Sequence, residues 1–124
     1  MAESTNVMMD YLSELLPTNA PDSDKTKKVF HREQVLDVMQ KEIVEFLSEL
    51  LSGNVSHDVM NAARMHLRMA DEYESVSDYV SDVLKLHLKL QTNNVTLDKD
   101  DREEILSLHE EIKQYLAMIN QAVI

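Results

Sequence analysis

Apolar positions recur at intervals of three and four along this chain. That is the spacing of one helix face, not the alternation of a strand. Met8, Met9, Leu12, Leu15 and Leu16 predict a first helix over about residues 3–16. Pro17 and Pro21 then bracket a polar loop from Thr18 to Asp24, since proline cannot continue a helix. A second helix is predicted over about 25–52, with Val29, Leu36, Ile43, Leu47 and Leu50 on one seam. Gly53, the single glycine, falls where a left-handed C-terminal residue is expected.

A third helix is predicted over about 57–91, with Ser56 as its N-cap and Asp58 in the first turn to complement the helix dipole. Its seam is Ala63, Leu67, Ala70, Ser77, Ser81, Leu84 and Leu88. Met69, Tyr73, Val76, Val80 and Val83 form a second stripe, so a wide face is expected to be buried. The fourth helix, about 98–122, starts at Thr96 or Asp98 and offers Ile105, Leu108, Ile112, Tyr115 and Ile119 as its core face. Short loops favour antiparallel packing of successive helices. The expectation is an all-α, up-down bundle of three long helices plus a shorter N-terminal one, in a single domain over residues 1–124.

Composition agrees with this and narrows the function. With one Gly and two Pro among 124 residues, little turn chemistry is left for β-hairpins. The net charge of −11 and a sequence pI of about 4.7 disfavour nucleic acid and anionic lipid and favour cations and basic protein surfaces. Aromatic residues make up 5% and Trp is absent, which also disfavours a base-stacking surface. No cysteine is present, so thiolate and disulfide chemistry are excluded. No secretory-signal pattern is visible. No run of about 18 apolar residues exists to span a bilayer. Asn54-Val55-Ser56 and Asn94-Val95-Thr96 match a glycosylation acceptor but read as helix-start turns. The apolar end Ala122-Val123-Ile124 suggests truncation of a longer chain.

Two acidic pairs stand out. Glu33 and Asp37 lie four apart on the second helix, and Glu74 and Asp78, followed by Asp82, on the third. Residues four apart share a helix face, where like charges cost a few tenths of a kcal/mol unless compensated. Glu33 and Glu74 fall near seam positions. Folding the two helices antiparallel about the turn at Gly53, at about 1.5 Å rise per residue, sets residue 33 opposite about 76 and residue 37 opposite about 72. The two claws then meet at the rim of the bundle. Carboxylate oxygens suit hard cations such as Mg²⁺, Ca²⁺, Mn²⁺ or iron. The competing reading is a solvated acidic face, since Asp78 and Asp82 share a stripe with Arg64, Arg68, Asp71, Ser75, Lys85 and Lys89. His31 and His109 are expected at the surface or rim, with metal ligation as the alternative. No Glu-x-x-His, His-Glu-x-x-His or Gly-rich phosphate loop is present, and no nucleophile with an orienting base can be assembled, so an enzyme is not expected.

The stretch from Met69 to Asp82 resembles the signature of PhoU-type domains, Asp-Leu-Glu-Arg-Ile-Gly-Asp-His followed by an Asn four residues after the last Asp. On that pattern Glu72 and Glu74 take the first acidic positions, Asp78 the next and Asp82 the place of the Asn. The family's Arg, Gly and His are Ser75, Ser77 and Tyr79 here. The segment from Glu33 to Leu47 is similar to the first helix of the same domain. The resemblance spans about residues 26–122, with the first helix similar to the run-in that follows the membrane part of a sodium/phosphate cotransporter. It implies a non-catalytic regulatory domain of phosphate transport on the cytoplasmic side of the bacterial inner membrane. It also implies divalent or iron-type metal binding through Glu33, Asp37, Glu74, Asp78 and Asp82. The expected partners are the transmembrane part of its own transporter or a second copy of the domain. A free-standing PhoU-type adaptor and a metal-free interaction scaffold are the alternatives.

Overall fold

The computed structural model describes residues 1–123, and Ile124 lies outside the described residues. Four helices follow one another: α1 (Ala2–Leu15), α2 (Ser23–Ser52), α3 (His57–Thr92) and α4 (Lys99–Val123). Their boundaries follow capping chemistry. The Asp22 carboxylate accepts from the Lys25 N–H at 3.1 Å and starts α2 inside the segment expected to be loop. Ser56 caps α3 through the Val59 N–H at 3.3 Å, and Asp98 caps α4 through the Asp101 N–H at 2.8 Å. Gly53 corrects an expectation: it is extended (φ −85°, ψ 179°), not left-handed. Among the described residues the positive φ falls instead on Asn94 (53°), in the α3–α4 turn. Asparagine tolerates that region because its short polar side chain bonds locally.

α2 and α3 pack antiparallel along their length, as their seams require. Val29 and Leu36 of α2 are fully buried, against Val80 and Leu84 of α3. The short helix α1 occupies the centre and touches all three others. Ala2, Thr5, Met8, Met9, Leu12 and Leu15 are all buried. Full burial of each large side chain contributes about 1.5–3 kcal/mol. Polar ties fix the position of α1. Lys25 of α2 pairs with Glu14 at 2.9 Å, Arg32 donates to Ser4 Oγ at 3.2 Å, and Lys113 of α4 pairs with Asp10 at 3.1 Å. The first helix is thus the middle of the bundle, not a run-in to it.

α4 departs further from expectation. It lies on α1, antiparallel to it, and its backbone does not approach α3 closely. The side it buries carries His109, Leu116 and Asn120. The stripe expected to be core, Ile105, Leu108, Ile112, Tyr115 and Ile119, is exposed. The physical reason lies in α1, whose flank offers Ser13, Asn6, Thr5 and the Ala2 carbonyl as hydrogen-bond partners. A mixed polar face of α4 meets these better than an apolar one would.

Candidate functional site: a carboxylate cluster between α2 and α3

The antiparallel packing of α2 and α3 brings the two acidic pairs to one level, as the register argument expects. Glu33 and Glu74 both lie within hydrogen-bonding reach of the Asp78 carboxylate. Asp37 is close enough to act on both glutamates through its charge. Just below the cluster, Gln40 of α2 donates to Asp71 of α3 at 2.7 Å and pins the register.

The electrostatics follow from that crowding. Burial raises the Glu33 carboxyl above the ordinary carboxylate range, followed by its hydrogen bond and like charge with Asp78 and the charge of Asp37. Glu74 is raised by the same causes in the same order, with Glu33 adding to the repulsion. Lys85 opposes the rise at Glu33. At neutral pH the cluster therefore holds negative charge against resistance, which a proton or a cation relieves.

The five sequence-predicted residues do not contribute alike. Glu33, Glu74 and Asp78 are half-buried and mutually close. Asp37 is clasped by Lys41 at 2.8 Å, one turn along its own helix. Asp82 is exposed, with 67% of its side chain accessible, and leans towards Lys85 at 3.7 Å. Among the described residues no group of three or more Asp, Glu or His side chains is already gathered around one point as metal ligands would be. The oxygen donors fit a hard cation in kind, but side-chain rotation is needed to bring them onto a common ion.

Two further polar centres escaped the sequence reading. Asn120 is fully buried. Its Oδ1 accepts from the Tyr73 hydroxyl at 2.6 Å. Its Nδ2 reaches the Ala2 carbonyl at 3.0 Å, Thr5 Oγ1 at 3.1 Å and Asn6 Oδ1 at 2.7 Å. One amide thereby ties α4 to α3 and α1. His109, expected at the surface or rim, is buried instead, with Nε2 2.7 Å from Ser13 Oγ. Ser13 donates to the Met9 carbonyl at 2.9 Å, which leaves His109 Nε2–H as the donor in that pair. Burial, then the nearby Lys113, lower the His109 pKa. The signal for both was present in His109, Lys113, Leu116 and Asn120, a second 4-3-4 stripe beside the apolar one. His31 is exposed, as expected.

Residues 1–86 match the family model of the PhoU domain. The chain belongs to the PhoU domain family. The match takes in α1, α2 and most of α3, so it begins earlier than the similarity expected from about residue 26 and ends before α4. It includes all five acidic positions and the Tyr73 anchor. No curated protein and no solved structure matches the chain. PhoU membership points to a phosphate-related regulatory role for a helical domain, and not to a catalytic family. Among the described residues no helix is long and apolar enough to cross a membrane.

Proposed function

We propose that this PhoU domain is a non-catalytic regulatory module of a sodium-dependent phosphate transporter, working on the cytoplasmic side of the bacterial inner membrane. Its output is contact with another protein surface, either the membrane part of that transporter or a second copy of the domain. Its input is a cation held by the carboxylate cluster. The observation that carries this reading is the meeting of Glu33, Glu74 and Asp78 across α2 and α3 within a PhoU family match. Glu33, Glu74 and Asp78 would hold the ion, with Asp37 joining on release from Lys41 and Asp82 closing the outer side. A divalent or iron-type cation there supplies charge neutralisation. It binds best when all the carboxylates are ionised, so it competes with protons for Glu33 and Glu74. A ligand that bridges α2 and α3 biases any equilibrium in which their register or spacing differs. A free-standing PhoU adaptor would use the same cluster in the same way.

Elemental analysis of protein purified without chelators tests the reading, beside a Glu74→Ala/Asp78→Ala variant whose fold is matched by circular dichroism. Stoichiometric iron or another divalent metal, lost in the variant, is the expected result. Metal-free protein whose melting temperature is unmoved by added Mn²⁺ or Fe²⁺ would overturn the cation input.

A further inference from the structure

The stripe that α4 leaves uncovered is regular. Ile105, Leu108, Ile112, Tyr115 and Ile119 repeat at intervals of three and four, with Leu108 58% and Tyr115 63% exposed. This is the knob spacing of a helix–helix seam. It runs for about four turns, roughly 20 Å. At the α3–α4 turn it opens into an apolar cleft of about 590 Å³ lined by Val83, Leu86, Leu90 and Leu97 beside Ile105. An exposed apolar seam of this length marks an interaction site.

The charge beside the seam selects the occupant. Asp100, Glu103, Glu104 and Glu111 line a shallow depression with Leu108 along one edge. The basic groups of α4 answer that edge only at Glu103; among the described residues Glu104 and Glu111 have no ion pair. Lys113 turns inward to Asp10, Lys99 lies 3.9 Å from Glu103 at the start of the helix, and Arg102 lines the cleft. A second copy would set the same acidic edge against itself and would add another −11 of charge. An anionic lipid surface is repelled for the same reason.

We propose that the exposed α4 seam, with the cleft at the α3–α4 turn, docks an amphipathic helix of a partner protein with apolar residues at three-four spacing and Lys or Arg on its flank. The partner's apolar side chains enter between Leu108, Ile112 and Tyr115, and its basic flank lies along Glu104 and Glu111. Steering by the acidic edge makes association fast and salt-sensitive. This rests on the regulatory reading above in taking protein contact as the domain's output, and it gives that contact a place and a chemistry.

The test uses the whole chain and three labelled 18-residue peptides: a Leu-seamed peptide with Lys flanks, a scrambled peptide of the same composition, and a Leu-seamed peptide with Glu flanks. Fluorescence anisotropy is expected to show the first binding at least tenfold tighter than either other. Leu108→Ser/Ile112→Ser, at exposed positions and of unchanged circular dichroism, is expected to weaken it at least tenfold. Glu104→Gln/Glu111→Gln is expected to weaken it severalfold and to flatten its salt dependence. Equal binding of the patterned and scrambled peptides, or indifference to Leu108→Ser/Ile112→Ser, would overturn the proposal. So would a dimer in sedimentation that the same variant dissociates, since a second copy would then cover the seam. Metal content measured on the same preparations reports separately on the carboxylate cluster.

Discussion

Replacing Tyr73 by Phe deletes one oxygen from the interior and leaves Asn120 Oδ1 buried without its 2.6 Å donor. An acceptor stranded in this way costs about 1–3 kcal/mol. Asn120→Leu has the opposite fault: the Tyr73 hydroxyl loses its acceptor, and the Ala2 carbonyl, Thr5 and Asn6 lose a donor. All but the Tyr73 hydroxyl have a way out. Thr5 Oγ1 donates to the Ala2 carbonyl at 2.7 Å, and Asn6 is half-buried and can turn to water. The cost of Asn120→Leu is therefore of similar size, about 2–3 kcal/mol. Combining the two removes the stranded hydroxyl together with its acceptor. The double variant should be less destabilised than the sum of the singles, by roughly 1–2 kcal/mol. Urea unfolding followed at 222 nm measures this. With a slope of about 1–3 kcal/mol per molar, each single variant should lower the midpoint by on the order of 1 M. Additive singles, or a Tyr73→Phe midpoint equal to that of the parent, would refute the view that this amide fastens α4 to α1 and α3.

Two pH-dependent predictions follow from the titrating groups, and they run in opposite senses. Glu33 and Glu74 have folded pKa values above their unfolded ones, so the native state binds protons more readily and ionising these groups costs stability as pH rises through the carboxylate range. Glu74→Gln should therefore raise the melting temperature at pH 7, with the gain fading below about pH 4; a variant no more stable than the parent at pH 7 would count against crowding at the cluster. His109 has a folded pKa below its unfolded one, so its contribution is present above the unfolded value of about 6.5 and is lost as pH falls through it. His109→Gln, which keeps a donor for Ser13, should remove the loss that sets in as pH falls below about 6.5 in thermal melts; an unchanged acid limb would refute the assignment.

The α2–α3 hairpin was readable from the sequence because two long seams and a short turn leave one antiparallel register. The level of Glu33 against Asp78 follows from rise per residue alone. The place of α4 was not readable, because its apolar stripe is the stronger periodic signal and a single chain does not say whether such a stripe faces inward. What decides is the polar flank of α1, whose partners His109 and Asn120 look unremarkable in isolation. Gly53 was misjudged for a related reason. The chain leaves α2 through an extended residue, and a Cβ there would meet the Leu50 carbonyl at an ordinary 3.5 Å, so glycine is not required by geometry. Within the acidic cluster the sequence shows who is near whom, but not that Lys41 and Lys85 draw Asp37 and Asp82 aside.

The seating of α1 sets the order in which the domain can assemble. Its partners on α4 stand about a hundred residues away in the chain, from Ser13–His109 to Ala2–Asn120. Contacts of such separation form late, because the loop they close is nearly the whole chain. During synthesis α1 can dock on α2 and α3 before α4 exists, with the side chains of Asn6 and Ser13 left to water. The last helix then acts as a latch on a bundle already formed. Its release would uncover the polar side of α1 while the α2–α3 carboxylates stayed in register.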